Sequence, residues 1–425
     1  MRRRALLAAG LAVTLLGVAA CGDAGSGGSK GDGGTLKVWF QEDSVPDKIM
    51  KDLNDEFEKK HGVKVKYEMQ YWTGIQQKLT KSFADGTGPD VFETGNTQNA
   101  AFAKAGALTD LTDKVADLGG QDWLPGLAES GRWDGKQYGV PFYASNRVVV
   151  YRKDMFDKAG VTPPKTQDEW LAVARKLQDT FGAADPAFQP LLLPGSYWFA
   201  LAGFVWDQGG ELAVRGPSGA WKGSLDTPQA KAGMRYYQDL FRYSKLAPDS
   251  TEDHPRSSDV FAQGKTAMML SLPLYYKESI AADPSLDGRI GVFPIPGRTA
   301  EKTSSVFVGG SNIAVPKSSK NQALAYEYVK LITGEKWQTR LVQSAGNWYV
   351  PNKVSLGAAV ANDPVMNIVV AAAKLGKVPP TDPRWAAVEE EPQIIRQYMI
   401  GVLKGGDIDA LAAEASAEIT RRMKE

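Results

Sequence analysis

The sequence predicts an α/β fold made of two lobes, and three observations support this. Short apolar runs alternate with amphipathic helical patterns at the spacing of a parallel α/β sheet. About 400 residues follow the N-terminal targeting segment, which is more than one typical domain needs. The strand-like run at 306–315 comes after a second α/β region, so the chain would leave one lobe and return to it. The cleft between two such lobes is a candidate ligand site.

The first α/β region begins with TLKVWF, which predicts a buried strand at Thr35–Phe40. In the following PDKIMKDLNDEFEKKHG, the residues Ile49, Leu53 and Phe57 recur at helical spacing, and Gly62 favours a stop. The alternation continues with the strand VKVKYEM, the helix GIQQKLTKSFADGTGPD, the strand DVFET and the helix TQNAAFAKAG.

The second region begins where two strand-like runs, YGVPFY and RVVVYRKDMF, are joined at residues 144–146. The helical pattern TQDEWLAVARKLQDTF carries a capping box from Thr166 to Glu169, and DTPQAKAGMRYYQDLF places Pro228 in a first turn. GKTAMMLSLP and RIGVFPIP predict strands. The strand FVGGSNIAV then returns, followed by the long helical pattern KNQALAYEYVKLITGEKWQTRLVQSAG and the closing helix IDALAAEASAEITRRMKE.

This order predicts how the chain is divided. The expected segments are a signal peptide (1–20), a flexible linker (21–34), the first part of lobe 1 (35–144), the first part of lobe 2 (145–306), a return to lobe 1 (307–350) and C-terminal helices mostly of lobe 2 (351–425). The linker GDAGSGGSKGDGG is small, polar and free of aromatic residues, which is typical of a tether.

The N-terminus has the pattern of a lipoprotein signal. MRRR precedes the apolar run ALLAAGLAVTLLGV, and VAAC then places small residues before Cys21. The apolar run is shorter than a membrane-spanning helix of about 20 residues. We expect cleavage before Cys21, lipidation of this residue, and a protein held at the outer face of the cell membrane. An ordinary signal peptide is the alternative, and the choice between Sec and Tat export stays open.

Composition excludes several classes of function. Without residues 1–20 the chain carries 47 basic and 49 acidic residues, a net charge of −2 that does not suggest a nucleic-acid partner. Two isolated histidines, His61 and His254, and a single cysteine predict no metal site and no cofactor. No nucleotide-binding motif or nucleophile elbow occurs. Carboxylates are plentiful, so a glycoside hydrolase with two carboxylates about 5–10 Å apart stays open.

Aromatic residues are abundant, with 11 Trp, 15 Tyr and 15 Phe, and many fall in turns. Aromatic faces suit the C–H faces of sugar rings, while neighbouring polar side chains bond the hydroxyls. Three tryptophans, Trp39, Trp170 and Trp337, lie within regular elements and are expected in the core. Trp206 in FVWDQGG could line the cleft or lie in the core, and the core is favoured.

Five segments occur in a recognisable order: GTGPDVFETGNTQNAAFAKAGALTDLT, DGKQYGVPFYASNRVVVYRKDMFDKAGVTPPKTQDEWLAVARKL, FVWDQGGELAV, FAQGKTAMML and FVGGSNIAVPKSSKNQALAYEYVKLIT. Together they resemble the extracellular solute-binding family of carbohydrate ABC importers, which includes maltose-binding protein. The resemblance covers nearly the whole mature chain. It implies the type II periplasmic-binding-protein fold, with two α/β lobes joined by a multi-strand hinge that close over a sugar. It also implies delivery of the sugar to the transmembrane subunits of an ABC permease.

Transferring the family's positions predicts the residues of the cleft, and Trp348 joins them as an aromatic residue in a turn. The predicted set is Gln41, Glu42, Trp72, Thr73, Asn96, Thr97, Tyr143, Ser145, Arg147, Tyr197, Trp198, Tyr275, Gly310, Ser311, Asn312, Trp348 and Trp385. In the returning strand, Gly309 and Gly310 would permit a bend and a close approach of the backbone.

The predicted function is capture of an oligosaccharide by a monomer, without catalysis. The number of stacking aromatics exceeds what one ring needs, which favours a disaccharide or a chito-oligosaccharide. The alternatives are a lipid-anchored glycoside hydrolase and a binding protein for another solute, such as a polyamine, a metal or a peptide.

Overall fold

The computed structural model describes residues 34–72, 74–251, 256–344, 349–360, 362–373 and 375–424. In chain order the strands are β1 (Thr35–Gln41), β2 (Lys64–Gln70), β3 (Val91–Gly95), β4 (Arg132–Trp133), β5 (Lys136–Gln137), β6 (Gly139–Asn146), β7 (Val148–Arg152), β8 (Gln189–Leu192), β9 (Ala213–Arg215), β10 (Trp221–Gly223), β11 (Thr266–Ser271), β12 (Ile290–Phe293), β13 (Val308–Ala314) and β14 (Val350–Pro351).

Along the chain, most helices follow or precede a strand of one of the two larger sheets. They are α1 (Asp47–His61), α2 (Ile75–Asp85), α3 (Asn99–Lys104), α4 (Pro125–Ser130), α5 (Lys153–Ala159), α6 (Gln167–Phe181), α7 (Trp198–Asp207), α8 (Pro228–Phe241), α9 (Ser257–Ala262), α10 (Leu274–Ala282), α11 (Gln322–Ile332), α12 (Glu335–Gln343), α13 (Pro364–Ala373), α14 (Trp385–Glu389), α15 (Ile394–Leu403) and α16 (Ile408–Arg422). Short 3₁₀ helices lie at Thr112–Lys114, Gly120–Asp122, Pro284–Leu286 and Ser355–Val360.

A six-stranded sheet forms the centre of the first lobe, in the order β14-β6-β13-β3-β1-β2. Strands β1, β2 and β3 pair in parallel, while β13 pairs antiparallel with both β3 and β6. Because β13 lies far along the chain, its place between β3 and β6 joins a late segment to this sheet.

The second lobe is built on a four-stranded sheet in the order β12-β7-β11-β8. Strand β11 pairs in parallel with β8 and antiparallel with β7. The chain passes from one sheet to the other with a single residue, Arg147, between the end of β6 and the start of β7. The predicted α/β fold with two lobes is therefore confirmed.

Each lobe has its own apolar core. Phe40, Phe142 and Tyr328 pack together in the first core, and the second lobe buries Trp170 and Phe204. The four tryptophans predicted to be in the core are buried, with exposed fractions of 7% for Trp39, 0% for Trp170, 5% for Trp206 and 2% for Trp337.

Helix ends follow the local sequence. The Thr166 hydroxyl accepts a hydrogen bond from the Glu169 amide at 3.2 Å, and Gly62 ends α1 in the left-handed conformation with φ of 68°. The long helical pattern predicted after residue 320 is two helices, α11 and α12. They are separated at Gly334, whose extended ψ of 157° interrupts the helix.

Among the described residues, no helix combines the length and the hydropathy needed to cross a membrane. The described residues also contain no group of three or more His, Cys, Asp or Glu side chains placed to hold a metal ion.

Candidate ligand-binding cleft

A cavity of about 390 Å³ is lined by residues of both lobes. From the first lobe it takes the segments that follow β1, β2 and β3, together with the last part of β6. From the second lobe it takes the start of α7, the turn before α10 and the segment after α14. The polar and aromatic residues that line it include Asp43, Trp72, Gln76, Asn96, Thr97, Tyr143, Ser145, Arg147, Trp198, Phe199, Tyr275, Phe307, Tyr349, Glu389, Glu390, Glu391 and Arg396.

The structure brings ten of the predicted site residues to this cavity. They are Glu42, Trp72, Asn96, Thr97, Tyr143, Ser145, Arg147, Trp198, Tyr275 and Gly310. Thr73 and Trp348 lie outside the described residues, as does the predicted lipidation site Cys21.

Five other predicted residues lie behind the cavity wall. Gln41 is 2% exposed and its side-chain amide donates to the Glu93 carbonyl, and Tyr197 is 2% exposed and its hydroxyl accepts from Arg147. These two therefore support the wall instead of forming it.

Ser311 and Asn312 are also fully buried. Strand β13 has a register irregularity between them where it pairs with β6, and their side chains bond Glu93 and Ser130. The cleft meets the preceding glycines instead, because Gly309 and Gly310 line it.

Trp385 was expected to stack on a sugar, but the structure places its ring in the core of the second lobe with no exposed area. The short helix α14 turns the indole inward, where its Nε1–H donates to Glu389 at 2.8 Å. Trp385 thus positions a residue of the cleft instead of facing the cleft.

Strand β6 supplies the floor of the cleft. Successive side chains of a strand point to opposite faces, so Tyr143 and Ser145 face the cavity, and Arg147 follows directly after the strand end. The Tyr143 ring stacks on that of Tyr349, with centroids 3.9 Å apart and planes 19° apart. The Tyr349 hydroxyl donates to the Asp43 carbonyl at 2.7 Å, which ties this aromatic floor to the end of β1.

A buried carboxylate, Glu93 in β3, holds the floor from behind. Its Oε1 accepts hydrogen bonds from the hydroxyls of Ser44 at 2.8 Å, of Tyr143 at 2.9 Å and of Ser311. Its Oε2 accepts from the backbone N–H of Gln41 at 3.0 Å. Burial raises the pKa of Glu93, while these hydrogen bonds act in the opposite direction. Sequence reasoning missed Glu93 because it sits inside an apolar strand with no local signal of function.

Arg147 lies against an aromatic wall. Its guanidinium carbon is 4.3 Å from the centroid of Phe199, 5.4 Å from that of Tyr197 and 5.6 Å from that of Phe307. Its Nε–H donates to the Tyr197 hydroxyl at 3.0 Å. Such cation–π contacts fix a long side chain in one orientation at the edge of the cavity.

Direct contacts join the two lobes across the cleft. The Thr97 hydroxyl donates to Glu389 at 2.9 Å, and the Gln76 amide donates to Glu390 at 3.3 Å. Arg256 pairs with Asp43 at 3.0 Å and also with Glu278 of its own lobe. At the rim of the cleft, residues of the two lobes are therefore in direct contact.

Glu389 is the most perturbed acid of the cleft. Burial raises its pKa to about 7, although hydrogen bonds from Thr97 and Trp385 favour its charged form. The run Glu389–Glu391 was not predicted as part of the site, because three adjacent glutamates in a sequence are more often a solvated surface. Only the packing of α14 against the second lobe brings them to the cleft.

A second cavity, more open and about 730 Å³ in volume, lies against β12, α10 and α13. It is lined mainly by apolar residues of these elements, and none of the described residues predicted for the site line it. The predicted ligand-binding residues that line a cavity therefore all line the smaller one.

Comparison with known proteins decides the family. Residues 42–339 match the model of the family described as bacterial extracellular solute-binding protein. The chain belongs to this family. This confirms the resemblance inferred from the sequence. It also confirms the type II binding-protein fold and the solute-binding class of function.

Relatives of known name cover most or all of the chain. The diacetylchitobiose binding protein DasA of Streptomyces coelicolor is 37% identical over 430 residues, which cover 100% of this chain and 99% of that protein. The galactooligosaccharide-binding protein of Bacillus subtilis is 26% identical over 367 residues, covering 84% of this chain and 81% of that protein. The GacH receptor of Streptomyces glaucescens, solved unliganded and with acarbose, superposes with a TM-score of 0.79 at 25% identity, covering 92% of this chain and 99% of that chain.

Proposed function

We propose that this protein captures an oligosaccharide in the cleft between its lobes and delivers it to the transmembrane subunits of an ABC permease. Diacetylchitobiose and related chito-oligosaccharides are the favoured ligands, since the 37% identical relative is named for binding diacetylchitobiose. The observation that carries the proposal is the stacked floor of Tyr143 and Tyr349, bordered by Trp72, Ser145 and Arg147 in one cavity. Flat aromatic faces beside hydrogen-bonding groups suit sugar rings.

The mechanism is closure without catalysis. A sugar would bind first to one lobe and then be enclosed when the rim contacts between Thr97 and Glu389 and between Asp43 and Arg256 form. The ligand shifts the equilibrium only by its preference for the closed form. The ten cleft-lining residues named above are proposed to contact the ligand.

The proposed organisation follows the sequence. Lobe 1 takes residues 35–144 and 307–350, and lobe 2 takes 145–306 and most of 351–425. The protein acts as a monomer outside the cytoplasmic membrane, tethered through a lipid on Cys21. Replacing Cys21 with alanine should release the protein from the membrane fraction into the medium. Retention of the variant in the membrane would contradict the lipid anchor.

A thermal-shift panel of mono- and disaccharides tests the ligand class. Disaccharides, diacetylchitobiose foremost, should raise the melting temperature of the purified protein more than monosaccharides do. Stabilisation by monosaccharides alone would contradict an oligosaccharide ligand. Chromatography of the ligand after long incubation tests the alternative of a glycoside hydrolase, which requires that the sugar be cleaved.

A further inference from the structure

Ser145 carries a buried hydroxyl that no group among the described residues pairs with. The residue is 6% exposed and lines the cleft, and its Oγ has no hydrogen-bond partner among the described residues. A buried hydroxyl without a partner costs folding free energy, so a group of this kind that faces a ligand cleft is best explained by a bond that the ligand completes.

Gly309, which pairs with Ser145 in the sheet, lies beside both apolar and cationic groups. A Cβ atom added to Gly309 would lie 3.4 Å from a guanidinium nitrogen of Arg147, 3.5 Å from the Ser145 carbonyl oxygen and 3.6 Å from the Phe307 ring. The Phe307 and Phe199 rings pack with centroids 4.8 Å apart, and Arg147 lies over Phe199. The absence of a side chain at Gly309 leaves this corner of the cleft open.

We propose that this corner is a subsite for the acetamido group of a 2-acetamido-2-deoxy sugar, and that Ser145 determines the preference for it. The inference rests on the proposed function and names which part of the sugar is recognised. The acetyl methyl packs on the rings of Phe199 and Phe307. The Ser145 hydroxyl can accept from the amide N–H or donate to the carbonyl oxygen, and the positive charge of Arg147 favours the carbonyl end of the amide dipole.

A hydroxyl in place of the acetamido group would fit this corner less well. It has no carbonyl oxygen to accept a hydrogen bond from Ser145, and it would leave the faces of the two phenylalanine rings uncovered by the ligand. A sugar carboxylate is also disfavoured, because the described residues lining the cleft include five carboxylates, Glu42, Asp43 and Glu389–Glu391, against two guanidinium groups, Arg147 and Arg396. The corner therefore suits a neutral group with an apolar end.

The test compares diacetylchitobiose with cellobiose by isothermal titration calorimetry, because the two β-1,4-linked disaccharides differ at the 2-position. The wild-type protein should bind diacetylchitobiose at least tenfold more tightly. Ser145→Ala should weaken the binding of diacetylchitobiose about fivefold more than it weakens the binding of cellobiose, so the preference should fall about fivefold or more. Melting temperatures of both proteins verify that the variant is folded.

Thr266→Val is the matched control. Thr266 in β11 is fully buried and its hydroxyl is also without a partner among the described residues, but it does not line the cleft. Its replacement should leave the ratio of affinities unchanged. Equal affinity of the wild-type protein for both sugars, or an unchanged ratio in Ser145→Ala, would overturn the acetamido subsite while leaving sugar binding intact. Failure of every neutral oligosaccharide to bind would overturn the proposed function itself.

Discussion

The hydroxyl of Tyr143 donates a hydrogen bond of 2.9 Å to Oε1 of Glu93, so the ring that floors the cleft is fixed by a carboxylate with no exposed area. The same oxygen accepts from Ser44 and Ser311, which brings together the end of β1, strand β3 and the two strands β6 and β13. The cleft floor is thus held by polar contacts that lie behind it.

Glu93→Ala should lower the free energy of unfolding by about 2–4 kcal/mol, because it removes the acceptor that three buried hydroxyls share, although those of Ser44 and Tyr143 can still bond each other. Glu93→Gln retains one carbonyl oxygen and should cost less. Urea denaturation measures both effects. Glu42→Gln, at an exposed carboxylate of the cleft, is the control and should change stability by no more than about 0.5 kcal/mol. Equal stability of the Glu93 and Glu42 variants would contradict the role of the cluster.

Gly310→Ala should destabilise the protein and weaken sugar binding. Gly310 has φ of 135°, and a Cβ there would lie 2.3 Å from the Tyr143 carbonyl oxygen, so the substitution must displace the strand that carries the cleft floor. Gly309→Ala is the control for stability, because its nearest contact would be 3.4 Å and its backbone lies outside the left-handed region. Melting temperatures and calorimetry test both variants. Unaltered sugar affinity in Gly310→Ala would count against the placement of this strand at the cleft.

Glu389 makes stability depend on pH. Burial raises its pKa from 4.5 to about 7, so the folded protein holds a proton that the unfolded chain releases above pH 4.5. The stability due to this proton is fully present below pH 4.5 and is lost as the pH rises through about 7. Relative to Glu389→Gln, the wild-type protein should lose about 1–3 kcal/mol of unfolding free energy between pH 5 and pH 8.

This pH window separates Glu389 from other perturbed acids. Asp154 and Asp382 have pKa values lowered to about 2, so their contributions change at more acidic pH. Urea denaturation of both proteins at pH 5 and pH 8 provides the comparison. Parallel pH profiles for the wild-type protein and Glu389→Gln would show that this carboxyl does not hold the proton.

Asp43→Asn should weaken sugar binding up to about fivefold at low salt, because it removes an ion pair that joins the lobes at 3.0 Å. Asp43 has φ of 63°, a conformation that asparagine also tolerates, so the backbone should be preserved. The effect should fade in 1 M salt, where exposed charges are screened. Asp409→Asn breaks the exposed pair with Lys231 and should leave affinity unchanged. Equal affinities of both variants at low salt would exclude the proposed rim contact.

The fold could be predicted because its signals are local. Strand β1, helix α1 and the capped helix α6 follow directly from apolar spacing, capping residues and glycine stops. The late position of FVGGSNIAV in the chain, together with the resemblance to the family, predicted only a strand that returns to the first lobe, and its place between β3 and β6 was not predicted.

The site could be predicted only in part, because side-chain direction depends on packing between distant segments. A register irregularity in β13 turns Ser311 and Asn312 into the interior, and the inward face of α14 buries Trp385. Conversely, Glu389 reaches the cleft only because α14 packs against the second lobe, and no spacing in the sequence signals this.

The most direct test of the central claim is titration of the purified protein with diacetylchitobiose in a calorimeter, followed by recovery of the ligand. The cleft of Tyr143, Tyr349 and Trp72 predicts saturable binding of one disaccharide per protein, with the sugar recovered unchanged. Trp72→Ala should weaken this binding about tenfold or more, since it removes an aromatic wall. Absence of binding by diacetylchitobiose and by every other neutral oligosaccharide, or hydrolysis of the sugar, would contradict the account.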